Sequence, residues 1–176
     1  QHLSDVMAGT ESGNRMNLET FVQRSYMEKI LCDANRRFRD MSNGQFELKL
    51  INVEDAGEGK NKGLDLEVLS IVTDKTRSVN TLSGGESFMA ALSLALGMAD
   101  QIQAATAAIH LDVMFIDEGF GSLSDNARNE AVNILKEMAG KQRQIGIISH
   151  VSELKDEIEN QLIVKKDDRG SHISWR

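Results

Sequence analysis

Thr81-Leu82-Ser83-Gly84-Gly85-Glu86-Ser87-Phe88 opens a long apolar helical run, and two apolar strands follow it, Val113-Met114-Phe115-Ile116-Asp117-Glu118 and Gln144-Ile145-Gly146-Ile147-Ile148-Ser149-His150. Each strand is apolar along its length and ends in polar or ionisable groups. Continuous apolar strands alternating with helices are the pattern of a parallel sheet covered on both faces, so the fold class is α/β. In open sheets of this kind ligands bind off the carboxyl ends of the strands. Asp117, Glu118 and His150 are therefore expected together at one edge.

Working outward, Gly119-Phe120-Gly121-Ser122-Leu123-Ser124 turns into a helix over Asp125–Ala139, with Ser124 a candidate cap. A short helix is expected at Ser152–Glu157, then two short strands near Leu162–Lys165 and His172–Trp175. A helix is expected from Gly84 to Ile102, and the first apolar strand from His110. Upstream, Leu18, Phe21, Val22, Tyr26, Ile30, Leu31, Ala34, Phe38 and Met41 recur at helical spacing, with Asn17 as cap and Gly44 as stop. Phe46, Leu48 and Leu50 alternate, as do Leu64, Leu66 and Val68, which predicts an antiparallel hairpin around a Gly- and charge-rich loop from Asn52 to Gly63. Residues 1–14 are polar and read as a frayed end, a linker or the stump of a coiled coil. Residues 15–176 read as one lobe, and a start at Gln1 is in keeping with a fragment of a longer protein.

Composition narrows the class. An apolar content of 40% with 27% charged residues is that of a globular protein with a real core. The sequence shows no signal-peptide pattern and no uninterrupted apolar run of spanning length, so no membrane partner and a cytoplasmic setting are expected. The single cysteine, Cys32, sits at an apolar-periodic position of the first helix and is expected as a packed thiol in a reducing compartment. A net charge of −7 argues against strong non-specific nucleic-acid binding by this chain alone, because phosphate neutralisation needs a basic patch. Lys75 and Arg77, just ahead of Thr81-Leu82-Ser83, read either as a solvated basic loop or as groups that reach phosphate or DNA.

The motifs carry a definite chemistry. A helix N-terminus presents unpaired N–H groups and partial positive charge, and glycines let an anion approach the backbone, so Ser83, Gly84 and Gly85 form a candidate phosphate site. The same residues also fit a capping box, with Ser83 as cap and Glu86 reaching back; the two readings are compatible. Beside a triphosphate, adjacent carboxylates divide the labour: Asp117 holds Mg²⁺, usually through water, and Glu118 polarises the attacking water. The plainer reading is an acidic turn after a core strand. His150 can hydrogen-bond a γ-phosphate oxygen and that water, or stand as a half-exposed histidine at a strand end.

In combination these segments resemble the signature motif, Walker B motif and switch histidine of ABC-type ATPase heads. More narrowly, Thr81 to Phe88, Asp117 to Leu123 and Ile148-Ser149-His150-Val151 are similar to the SbcC family, as are Ile30 to Asn35 and Met41 to Gly44. Glu86 in place of glutamine, and Gly119-Phe120 where transporters carry Pro-Thr, point away from membrane transporters. That resemblance implies the C-terminal half of an SMC-like, ABC-class head whose N-terminal half carries the P-loop. No Gly-x-x-x-x-Gly-Lys-Ser/Thr occurs here; Gly59-Lys60-Asn61 comes nearest and lacks the rest. It further implies ATP and Mg²⁺ as cofactors, a second head as homodimeric partner, an SbcD-like metallonuclease subunit, and double-stranded DNA ends reached through the complex. Ser83, Gly84, Gly85 and Glu86 would then act in trans on the partner head's nucleotide, with Asp117, Glu118 and His150 acting in cis, and the isolated chain is expected to turn over little ATP. Ser124 stands where the family usually has aspartate, with Asp125 one position later. Two other readings remain open: an SMC- or RecN-like ATPase without a nuclease partner, and a non-catalytic dimerisation module.

Overall fold

The computed structural model describes residues 18–52, 63–105, 111–139 and 143–176. Helix α1 (Leu18–Met41) leads into strands β1 (Phe46–Leu50), β2 (Leu66–Ser70) and β3 (Lys75–Ser78), then helix α2 (Gly84–Ala105) and strand β4 (Val113–Asp117). Helix α3 (Asp125–Ala139), strand β5 (Gln144–Ile148), the short helix α4 (Leu154–Glu157) and strands β6 (Leu162–Asp167) and β7 (Gly170–Trp175) complete the order. Residues 1–17, His110 and the loop interior, 53–62, lie outside the described residues, and with them the expected cap Asn17 and the N-terminal stump.

Helix α1 ends as its sequence predicts. Asn43 and Gly44 take φ values of 52° and 74°, and the Gly44 N–H donates to the Arg39 carbonyl at 2.7 Å. The chain then turns into β1, which pairs antiparallel with β2 from Phe46↔Ser70 to Leu50↔Leu66. That register sets Leu48 against Val68, and both are fully buried. Asn35 fastens helix to sheet: its amide donates to the Leu48 carbonyl and accepts from the Leu48 N–H, both at 2.8 Å. β3 extends the sheet, pairing with β2 over Glu67↔Ser78 to Ser70↔Lys75. Reading Lys75–Ser78 as a loop misses this strand. Lys-Thr-Arg-Ser holds no apolar residue, so an outer strand lying largely in solvent leaves no alternation to detect.

The core forms where α1, α2 and α3 meet, around Phe38, Met41, Leu92, Leu96, Phe120, Ala131, Val132 and Leu135. Helix α2 is long and apolar enough to span a bilayer by length and composition, against the sequence expectation, yet it buries Met89, Leu92, Ser93, Leu96 and Ala99 in this core. Cys32 is exposed, not packed, because it falls beside the buried stripe of Leu31, Ala34, Phe38 and Met41.

β4 and β5 are parallel, in register from Val113↔Gln144 to Asp117↔Ile148. The expected double cover is corrected. Ile116 is buried, while Phe115 is 72% exposed and Val113 and Ile148 are also exposed, so within the described residues this sheet is covered on one face only. β6 and β7 form a separate antiparallel hairpin in which Leu162 faces Trp175 and Val164 faces Ile173, all four exposed.

Candidate functional site

The carboxyl end of the parallel sheet gathers three of the residues singled out by sequence. Asp117 closes β4, and the Glu118 N–H continues the ladder by donating to the Ile148 carbonyl at 2.9 Å. The backbone then reverses through left-handed conformations, with φ 59° at Glu118 and 96° at Gly119. A non-glycine residue at positive φ is strained and is held there by its surroundings. The reversal leaves both carboxylates exposed at the edge. His150, two positions beyond β5, brings Nδ1 to 3.1 and 2.9 Å from the two oxygens of Glu118. Glu118 and His150 thus form a contacting pair, with Asp117 beside them in the chain.

The signature segment is held by its own side chains. The Glu86 N–H donates to Ser83 Oγ at 3.2 Å, and the Ser83 N–H donates to Glu86 Oε2 at 2.8 Å, the reciprocal pattern of a capping box. Arg77, on β3, adds a third member. Its Nη2 donates to Glu86 Oε2 at 3.1 Å, and its Nη1 donates to the Thr81 carbonyl at 2.6 Å and to Thr81 Oγ1 at 3.1 Å. The guanidinium lies 5.4 Å from the centre of the Phe46 ring. Partial burial pulls the Glu86 carboxyl up, but the Ser83 N–H and the Arg77 charge together outweigh it, and the group sits below its ordinary value. The Glu86 carboxylate is therefore committed to the loop. Ser83 and Gly84 are exposed.

The two motifs share one packing contact. The turn after Glu118 lies against the start of α2, with Phe88 and Phe120 edge to face at 5.0 Å between centroids. A Cβ at Gly119 would overlap the Phe88 ring, and one at Gly85 would stand 2.6 Å from the Ser122 carbonyl oxygen. Gly85 is thus required sterically, in addition to any approach of an anion. Ser124 is the cap of α3, accepting from the Ala127 N–H at 3.4 Å, and the exposed Asp125 pairs with Arg128 on the same helix. The roles of Arg77 and Phe88 in holding the site escaped the sequence reading. No local signal gave them away, since each contact joins segments that only the folded chain brings together.

The donor set suits a shared metal, not a caged one. Among the described residues no cluster of three or more His, Cys, Asp or Glu could hold an ion. One exposed carboxylate at a strand edge matches the way Mg²⁺ is held by one or two carboxylates, water and substrate phosphates. A cleft of about 350 Å³ between Arg36, Arg37, Asp100, Gln103 and Arg143 is remote in sequence from these motifs. It is occupied by ion pairs, with Arg37 and Arg143 reaching Asp100 at 2.5 and 3.0 Å.

This arrangement of helices, parallel strands and hairpins is that of an SMC-type ATPase head. A structure described as the structural biochemistry of ATP-driven dimerization and DNA-stimulated activation of SMC ATPases matches 89% of this chain and 89% of its own, with a TM-score of 0.67 at 18% identity. The Smc head domain of Pyrococcus furiosus with an extended coiled coil, bound to the C-terminal domain of ScpA, matches 90% of this chain and 37% of its own, with a TM-score of 0.64 at 18% identity. Within that class, residues 64–137 match the family described as SbcC/RAD50-like, Walker B motif. The SbcC subunit of the nuclease SbcCD from Treponema pallidum is 41% identical over 171 residues, 97% of this chain. The Vibrio cholerae protein of the same name is 45% identical over 172 residues, also 97%. Over nearly its whole length the chain is thus similar to a segment of SbcC subunits. It spans 16% and 17% of the lengths of those two relatives.

Proposed function

We propose that this chain is the lobe of a composite ATPase head that supplies the signature motif, Walker B carboxylates and switch histidine, and that the P-loop comes from another part of the same protein. The observation that carries this reading is the meeting of Glu118 and His150 beside Asp117 at the carboxyl edge of β4 and β5. The uncovered apolar face at Val113, Phe115 and Ile148 supports a further covering piece, as does the exposed apolar face of the β6–β7 hairpin. Leu18, Phe21, Val22 and Tyr26 form a third exposed stripe along the first turns of α1, suited to a coiled-coil neighbour.

In this reading Asp117 would hold Mg²⁺ through water, and the metal would supply charge neutralisation for the phosphates of ATP. Glu118 orients the attacking water and accepts its proton, while His150, positioned by Glu118 through Nδ1, has Nε2 left for a γ-phosphate oxygen. Ser83 and the first amides of α2 act on the nucleotide held by a second head, so ATP draws two heads together. Glu86 shapes that surface from within the loop, its Oε2 accepting from both the Ser83 N–H and Arg77. The relatives are named as parts of the nuclease SbcCD. On that basis the assembled cytoplasmic protein pairs with an SbcD-like metallonuclease and couples ATP to cutting at double-stranded DNA ends in repair and recombination.

The test is the mass of this chain co-expressed with its P-loop segment and carrying Glu118→Gln, with and without Mg-ATP. Doubling on ATP is expected. A nucleotide-bound head that stays single would remove the trans role of Ser83. An ATP-dependent dimer that never retains a nuclease subunit would favour the SMC- or RecN-like reading.

A further inference from the structure

The signature helix carries a complete capping box in Ser83 and Glu86, and such a box needs nothing more to satisfy its two N–H groups. Here a third group is added from a different element. Arg77 belongs to β3, where pairing with Val68 fixes its backbone, and its guanidinium lies over Phe46 of β1. From that anchor one nitrogen serves the Thr81 carbonyl and hydroxyl and another serves the Glu86 carboxylate. The fork thus spans the segment that leads into Ser83 and the residue that holds the Ser83 N–H. Both terminal nitrogens are thus engaged within the loop.

We propose that Arg77 is the positioning residue of the signature motif, tying the β1–β3 sheet through Glu86 to Ser83 so that the serine stands ready for the nucleotide of a second head. This rests on the trans reading of Ser83. The chemistry demands arginine: a planar fork with donors in fixed directions bridges two acceptors, whereas a lysine ammonium on a flexible stem satisfies one and releases the other. The link is mechanical as well. β1 is fastened to α1 by Asn35, so a displacement of α1 that carries the sheet with it would reach the signature loop through Phe46, Arg77 and Glu86.

The experiment uses the full-length protein with its nuclease subunit and compares Arg77→Ala, Arg77→Lys, Glu86→Gln, the Arg77→Ala/Glu86→Gln double variant and Ser83→Arg. Binding of a fluorescent ATP analogue, ATP-driven head association and steady-state hydrolysis are measured for each. Arg77→Ala is expected to lower kcat on the order of tenfold and weaken association while nucleotide affinity stays within about twofold, because positioning acts after cis binding. Arg77→Lys recovers less than half of the loss, and the double variant is no worse than the worse single one, as expected of members of one relay. Unchanged kcat and association in Arg77→Ala, beside a Ser83→Arg variant that has lost both, would overturn the proposal and leave the trans reading standing. Full rescue by lysine, or strictly multiplicative losses in the double variant, would overturn it too. If Arg77→Ala folds poorly, the charge-keeping Arg77→Lys carries the decision. Normal ATP-driven association in Ser83→Arg defeats the trans reading itself, whatever Arg77 does.

Discussion

The signature loop and the carboxyl edge of the parallel sheet are built in opposite ways. At the first, Ser83, Thr81 and Glu86 are bound to one another or to Arg77, and Gly85 lies against the Ser122 carbonyl. At the second, Asp117, Glu118 and His150 stand exposed, and the Glu118 carboxylate meets His150. Under the proposed function, the difference follows from what each would have to do. A surface offered to another head gains by being rigid before contact, since ordering lost on association weakens binding. On the proposed reading, groups that receive nucleotide and water in their own head need access, and a P-loop piece would complete their final geometry. The two regions touch through Phe88, Gly119 and Phe120, so neither is set independently.

The largest break in this comparison should come at the open edge. Glu118→Gln removes the base while leaving Asp117 and the backbone reversal in place. Hydrolysis by the reconstituted head is expected to fall about 10²–10⁴-fold, with nucleotide binding and head association retained. Single-turnover measurement of phosphate release checks it, and parental rates would remove Glu118 from the chemistry. Gly119→Ala is next in size and strikes both regions. The new methyl meets the Phe88 ring and must also adopt φ 96°, so destabilisation of about 1–3 kcal/mol is expected from strain and overpacking. Adding Phe88→Leu should return the steric part and leave the backbone part. Thermal unfolding of the single and double variants separates the two, and equal loss in both would show that Phe88 does not set the turn.

Most of the element order could be read from residues alone, because it is written in periodicity. The second half of the α1 stripe, from Leu31 to Met41, the β1–β2 alternation, the α2 run and the 125–139 helix reach their burial through a repeating apolar pattern, whereas Leu18, Phe21, Val22 and Tyr26 carry the same pattern and stay exposed. The residues at the sheet edge were legible for a related reason, since an apolar strand that ends in Asp117-Glu118 or Ser149-His150 delivers those groups where such sheets bind ligands. β3 was not legible, as Lys75–Ser78 has no apolar side to report. The one-sided cover of β4 and β5 was not legible either: an apolar run states that both faces tend to be buried and leaves open which chain buries them. The Arg77–Glu86 bond joins residues through a strand pairing, and the Phe88–Gly119 contact through a helix docking on a turn. Neither leaves a local trace.

The finest test concerns the closed region and its charge. The Glu86 carboxyl lies below its ordinary value of 4.5, as the Ser83 N–H and Arg77 outweigh partial burial. A depressed folded-state pKa means that the unfolded segment takes up its proton first as pH falls. The stabilisation by Glu86 is therefore complete above about 4.5 and is lost as pH drops through the folded value. Protection of the amides from Ser83 to Ser87 against hydrogen exchange, corrected for intrinsic rates, is expected to decline in that acidic window. Glutamine at position 86 can still accept from the Ser83 N–H but has no charge for Arg77. Glu86→Gln should thus lower protection near neutrality by about 1 kcal/mol and flatten the acid decline. A decline as steep in the variant as in the parent would assign the acid sensitivity to other carboxylates. The capping box would then hold the loop without help from the Arg77–Glu86 pair, and the closed region would owe its rigidity to the helix alone.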